Sequence, residues 1–202
     1  MKAQLLVLGA LHRGAMHPYE IRRRLKAALV ECYTDVDVGT LYYCVRQLAA
    51  AGHIKVHGTE KVARGGARTI YRITRGGRAR FRELLMEHFT AEGSVAGTLY
   101  AALLFLHLAD LPAVAAALRA RLKWQEIALQ EARVVRRRIG KYAGTGVRHL
   151  LDHLAAQREL DRKWLHRVLK DVERDQVRDS NLPKLHAHLR RPPRRPRAAP
   201  VR

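Results

Sequence analysis

A mainly α-helical protein with one small β-wing is predicted by three observations on this sequence of 202 residues. Apolar residues recur at helical spacing over most of its length. Two short runs, Ile54–Glu60 and Arg68–Thr74, instead alternate apolar with polar at period two, as half-buried strands do. Breaks at Gly14, Gly52, Gly93, Gly140 and Gly144 cut the remainder into pieces of helix length.

The elements follow in order. Lys2 to Arg13 carries Leu5, Leu6, Leu8 and Leu11 as a strongly apolar first helix, and Gly14-Ala15-Met16 breaks it. Pro18 opens the second helix in the turn that tolerates proline best, with Tyr19, Ile21, Leu25 and Leu29 as an apolar stripe opposite Arg22, Arg23 and Lys26. Asp37 is a good N-cap for a third helix, Val38 to Ala51, which Gly52 stops. At about 100° per residue Leu41, Cys44, Val45 and Leu48 share one face of it. Gly39, Tyr42, Tyr43 and Arg46 fall on the other, where a core has no use for them but phosphates and base edges do.

The two strands flank Lys61-Val62-Ala63-Arg64-Gly65-Gly66-Ala67, a glycine-bearing tip made basic by Lys61, Arg64 and the adjacent Arg68. Helix, strand, basic loop and strand in that order describe a winged helix-turn-helix, with the third helix suited to the major groove and the wing to phosphates or the minor groove. Residues 75–89 continue helically through Phe81, Leu84, Leu85 and Phe89, and Glu92-Gly93-Ser94 is the expected joint. This places a DNA-binding domain at residues 1–92.

Over these ninety residues the chain resembles the PadR family of bacterial transcriptional regulators. The similarity is carried by His17-Pro18-Tyr19-Glu20-Ile21, by Gly39-Thr40-Leu41-Tyr42, and by Tyr71-Arg72-Ile73-Thr74-Arg75-Gly76-Gly77-Arg78, three motifs in order and at sensible spacing. It departs from the family at Pro18, where glycine is usual, at Asp37-Val38, where Ser-Pro is frequent, and at Tyr43, where a basic residue is frequent. An aromatic at 43 offers stacking or a thymine-methyl contact in place of a guanine fork, so the operator cannot be borrowed from relatives. The resemblance implies a dimeric repressor on a palindromic operator. Residues expected at the DNA are Tyr19, Arg22, Gly39, Thr40, Tyr42, Tyr43, Arg46, Lys61, Arg64, Arg68 and Arg72.

Residues 93–180 read as an all-α dimerisation domain: a short apolar helix from Thr98 to Ala109, a long one from Asp110 to about Ile139, and a last one from Val147 to roughly Glu173. On the long helix Leu111, Val114, Leu118, Leu122 and Leu129 form one stripe while Trp124, Ile127 and Val134 lie off it, and a helix with two apolar faces needs two neighbours. One is its own chain; a second subunit is expected as the other. Gln157, Arg158 and Asp161 interrupt any strict heptad on the last helix, which argues against a regular coiled coil. Family resemblance further implies release by a flat aromatic or hydrophobic effector near the dimer interface. Trp124 and Trp164 are its candidates, with packing as the other use of the same indoles.

A net charge of +21 points to a polyanionic partner and a steep salt dependence. Double-stranded DNA is expected first, with a nonspecific nucleoid-associated or RNA-binding protein as the alternative. The Pro/Arg-rich residues 181–202 are expected to be a disordered basic tail that either touches phosphates or only keeps the protein in solution. The best apolar run, Leu99 to Leu111, is too short to span a bilayer, and the apolar start after Lys2 lacks a clear leader-cleavage site. Cys32 and Cys44 are too few for a disulfide scaffold, and a cytoplasmic protein is expected, with Cys44 as a small buried hydrophobe. His149 and His153 share a helix face but lack the further ligands of a zinc site. No nucleophilic triad or phosphate-cradling loop stands out, so neither catalysis, metal nor cofactor is expected.

Overall fold

The computed structural model describes residues 1–28, 30, 34, 36–61 and 66–178. Leu29, Cys32, Arg64 and the basic tail lie outside them. Among the described residues the order is α1 (Lys2–Leu11), α2 (Pro18–Ala27), α3 (Val38–Ala50), β1 (Ile54–Lys61), β2 (Ala67–Ile73), α4 (Arg75–Thr90), α5 (Val95–Leu103), α6 (Leu111–Ile139) and α7 (Thr145–Glu173). The architecture is mainly α with a β-wing, as the sequence predicts.

Helix α1 is the hub. Every residue from Leu5 to Leu11 is buried, and the helix touches α2, α3, α4, α5 and β2. A helix apolar all round is the kind that neighbours enclose. It ends at Leu11 rather than Arg13, because Gly14 turns the chain with φ 138°. A side chain at Gly9 would collide with the Phe105 ring, so the missing Cβ is what lets the segment after α5 reach α1. Phe105 in turn meets Phe81 of α4 edge-on, centroids 5.6 Å apart.

Each amino-terminal turn of α2, α3, α4 and α5 is capped from within the chain. The His17 ring accepts from Glu20 N–H at 3.1 Å, Asp37 from Thr40 N–H at 2.6 Å, Thr74 from Gly77 N–H at 3.0 Å and Ser94 from Gly97 N–H at 3.0 Å. Such caps satisfy donors that the helix itself cannot. The Thr74 hydroxyl also lies 2.8 Å from the Gly52 carbonyl and 2.9 Å from that of His53, clamping the end of α3 to the start of α4.

Strands β1 and β2 pair antiparallel, with Lys55 opposite Arg72 and a bulge between Val56 and Gly58. Met16 joins as an isolated bridge to Tyr71, through two N–H···O bonds of 3.0 Å, so the expected break after α1 also pairs with the wing. The expected half-buried alternation fails along β1. Only Ile54 is buried and Val56 is 58% exposed, because β1 runs out beyond the helices, whereas Thr69, Ile70 and Tyr71 of β2 stay half-buried.

Two further expectations are corrected. Tyr19 leaves the apolar stripe of α2 and is exposed, since Ile21 and Leu25 take the buried face. The apolar helix expected at Thr98–Ala109 is α5 at Val95–Leu103 followed by a separate 3-10 turn at Leu106–Leu108; Ser94 supplies the earlier cap. Helix α6 keeps its expected start at the Asp110 cap and its end at Ile139, and it pairs with α7 as a long hairpin. One hydrophobic cluster runs unbroken from Leu5 in α1 to Val172 in α7.

Candidate nucleic-acid interface

Helix α3 is built to show one face. Leu41, Cys44, Val45 and Leu48 are buried beneath it, and burial pushes the Cys44 thiol up to about 11, which keeps it an inert, protonated hydrophobe. Gly39, Thr40, Tyr42, Tyr43, Arg46 and Gln47 are exposed on the outside. A Cβ at Gly39 would meet only Asp37 Oδ1, at 3.5 Å, so the fold does not itself require glycine there. The bare backbone at the start of α3 is left open to a close approach.

Three elements meet beside that face. Tyr19 from α2, Tyr42 from α3 and Arg68 from β2 line one open cleft of about 400 Å³, together with His17 and Tyr71. Arg68 holds its guanidinium 5.4 Å above the Tyr19 ring, and the His17 ring stacks on Tyr19 with centroids 6.0 Å apart. A cation over an aromatic face is positioned without losing its charge.

The sequence-predicted cations divide cleanly. Arg22, Arg46, Lys61, Arg68 and Arg72 make no ion pair among the described residues, whereas the neighbouring Arg23 and Arg24 are both engaged by Glu20 at 2.8 Å. Arg22 borders a shallow groove between α2 and the Asp37 cap, and Lys61 ends β1 in the open. Arg72 does not join the Tyr19–Tyr42 cleft. It lines a different one with Lys55, Arg75 and Arg78. Sequence reasoning missed these last three and His17; the His17-Pro18 pair in cap position was the signal for the histidine.

Residues 7–83 match the model of the transcriptional regulator PadR-like family. Over those residues the chain is similar to the PadR-like winged helix. The match to the PadR-like model takes in α1 from Val7 through the wing and much of α4. No curated protein matches the chain. Among solved structures, PadR of Bacillus subtilis in complex with operator DNA is 15% identical, with 84% of this chain and 98% of that one covered at a TM-score of 0.40. The same protein in complex with p-coumaric acid is also 15% identical, at 86% and 99% coverage and a TM-score of 0.39. The protein smu.1604c of Streptococcus mutans is 21% identical, at 84% and 99% coverage and a TM-score of 0.41. The interface rests on the geometry of this winged helix alone.

The two tryptophans lie in different surroundings. Trp124 of α6 borders a cleft of about 220 Å³ with Phe89, Gly93 and Arg121, and Arg158 sits 4.9 Å over its ring. Trp164 of α7 meets Tyr100 edge-on at 6.0 Å. Along α6 the second apolar face is open: Ile127 is 53% exposed and borders a shallow groove with Val134 and Val135. His149 and His153 are exposed, and no group of three or more metal-ligating side chains converges among the described residues. No helix of the described residues is long and apolar enough to cross a membrane.

Proposed function

We propose that this PadR-like chain is a sequence-specific, dimeric transcriptional repressor that binds a palindromic operator in the cytoplasm. The observation that carries the reading is the outer face of α3, where Gly39, Thr40, Tyr42, Tyr43 and Arg46 are uncovered and Arg46 has no carboxylate partner among the described residues. Inserted in a major groove, α3 offers Arg46 to a guanine edge or a phosphate and Tyr42 and Tyr43 to sugars or thymine methyls. The wing cations Lys61 and Arg68 supply backbone contacts on the flank, as does Arg22 from α2.

The open α6 face supports a dimer, because an exposed apolar groove on a long helix is what a second copy covers. Two α3 helices about 34 Å apart then meet successive major grooves. For release, the cleft beside Trp124 is the favoured place for a small hydrophobic or aromatic effector, since it adjoins the joint between α4 and α5. Trp164 takes part through the packing of α7.

Gel-shift competition on the DNA upstream of the gene tests the reading. An unrelated fragment should compete poorly at moderate salt; equal competition would establish a nonspecific nucleic-acid binder instead. Tyr42→Ala and Arg46→Ala should each weaken operator binding about ten-fold and leave the dimer intact in sedimentation.

A further inference from the structure

Arg72 and Lys55 stand opposite each other across the wing, on the sheet face turned away from the buried Ile54 and Ile73. At the base of the strands they meet two more cations, Arg75 and Arg78, from the first turn of α4. The four line one cleft of about 360 Å³, closed at its edge by His12 and Gly14. None of the four makes an ion pair among the described residues. Among the described residues Arg78 has only the His12 ring to donate to, 3.1 Å from Nδ1.

A guanidinium that finds an imidazole in place of a carboxylate is poorly compensated, and four like charges converging on one concavity repel. The amino-terminal end of α4, with Gly77 N–H already capped by Thr74, adds its partial positive charge to the same place. Paired Arg and Lys donors around a helix start are the donor set for a tetrahedral oxyanion.

We propose that this cleft is an anion site that binds a phosphoryl group, separate from the α3 face and held by Lys55, Arg72, Arg75 and Arg78. The same chemistry is offered by a backbone phosphate of duplex DNA or by a small phosphate ester, and the two sources are separable. Neither the operator nor the repressor reading is needed for the test.

The full chain is titrated calorimetrically with inorganic phosphate and with pyrophosphate in chloride-free buffer, beside the double variant Lys55→Gln/Arg75→Gln. Both positions are exposed, so the variant should keep the wild-type thermal midpoint. Saturable anion binding is expected for the wild type, about ten-fold or more weaker in the variant. In parallel, the salt dependence of binding to a synthetic duplex of arbitrary sequence is measured for both proteins. A salt slope smaller by about one in the variant assigns the phosphoryl group to DNA; an unchanged slope with weakened anion binding assigns it to a small ester. If anion affinity and salt slope are both the same in variant and wild type, the site does not exist. Tyr42→Ala serves as the control that leaves anion binding untouched.

Discussion

Gly77 shows how much a single position can decide. A Cβ there would run into the carbonyl carbon and oxygen of His53, backbone atoms that Thr74 already holds in place. Gly77→Ala should therefore destabilise the fold by about 1–3 kcal/mol, read as a lower urea midpoint, and a neutral result would mean the α3–α4 corner yields. The sequence marked Gly77 only as part of a motif; its steric reason needs the neighbouring chain. His12 carries a second residue-scale consequence. Burial, then Arg78, Arg82 and His107, pull its pKa from 6.5 down to about 4, while burial also lowers His88 and His107. The unfolded chain then binds protons that the folded one refuses. Stability contributed by the neutral rings is complete above pH 6.5 and drains away as pH falls toward 4. Urea midpoints at pH 7 and pH 5 should show that loss, and His12→Gln should reduce it. Caps at Asp37 and Gly52 were legible because capping chemistry is local, whereas Thr74 was missed where a strand runs directly into a helix.

Among the elements, helices were legible in proportion to their length. Both long helices were read to within a few residues, since many periods average out a misplaced side chain. Short α5 was displaced because an apolar stretch of that size hides a 3-10 turn as readily as a helical one. The wing was placed correctly, but β1 was given a half-buried alternation that it lacks beyond Ile54, because alternation says which side chains share a side and not whether anything covers it. The joint between α4 and α5 had no signal beyond Glu92-Gly93-Ser94, yet a buried cation secures it. Arg121 of α6 donates to the Ala91 and Gly93 carbonyls at 2.7 and 2.8 Å and to the Thr98 hydroxyl at 2.6 Å. Arg121→Leu should cost about 2–3 kcal/mol by leaving those carbonyls unpaired, measured by urea unfolding; an undisturbed midpoint would mean water replaces the guanidinium. An arginine inside a helical stripe reads as surface in a sequence, which is why it escaped notice.

For the whole molecule, the outward set on α3 was readable because a single helix decides it. The grouping of Tyr19 with Tyr42 and Arg68, and the exclusion of Arg72, depend on how α2 and the wing dock, which no local pattern encodes. Assembly belongs to this scale too. Ile127→Glu/Val135→Glu places charges on the open α6 face without touching the buried stripe, and should yield monomers in sedimentation with operator affinity lowered by about a hundred-fold or more. A dimer that survives both charges would put the interface elsewhere.

The contact between Gly9 and Phe105 acquires its meaning here. A single aromatic plate, slipped into the gap beside one hydrogen, fixes how deeply the reading head seats on the stalk that leads to the long arms. Thickening that shim by one methyl would press on the ring, and in the proposed dimer any tilt of the head that followed would become, over the length of the arms, a change in the spacing between half-sites. Under the proposed dimeric reading, the gauge of the operator is thus set far from any base, in the dry centre of the protein.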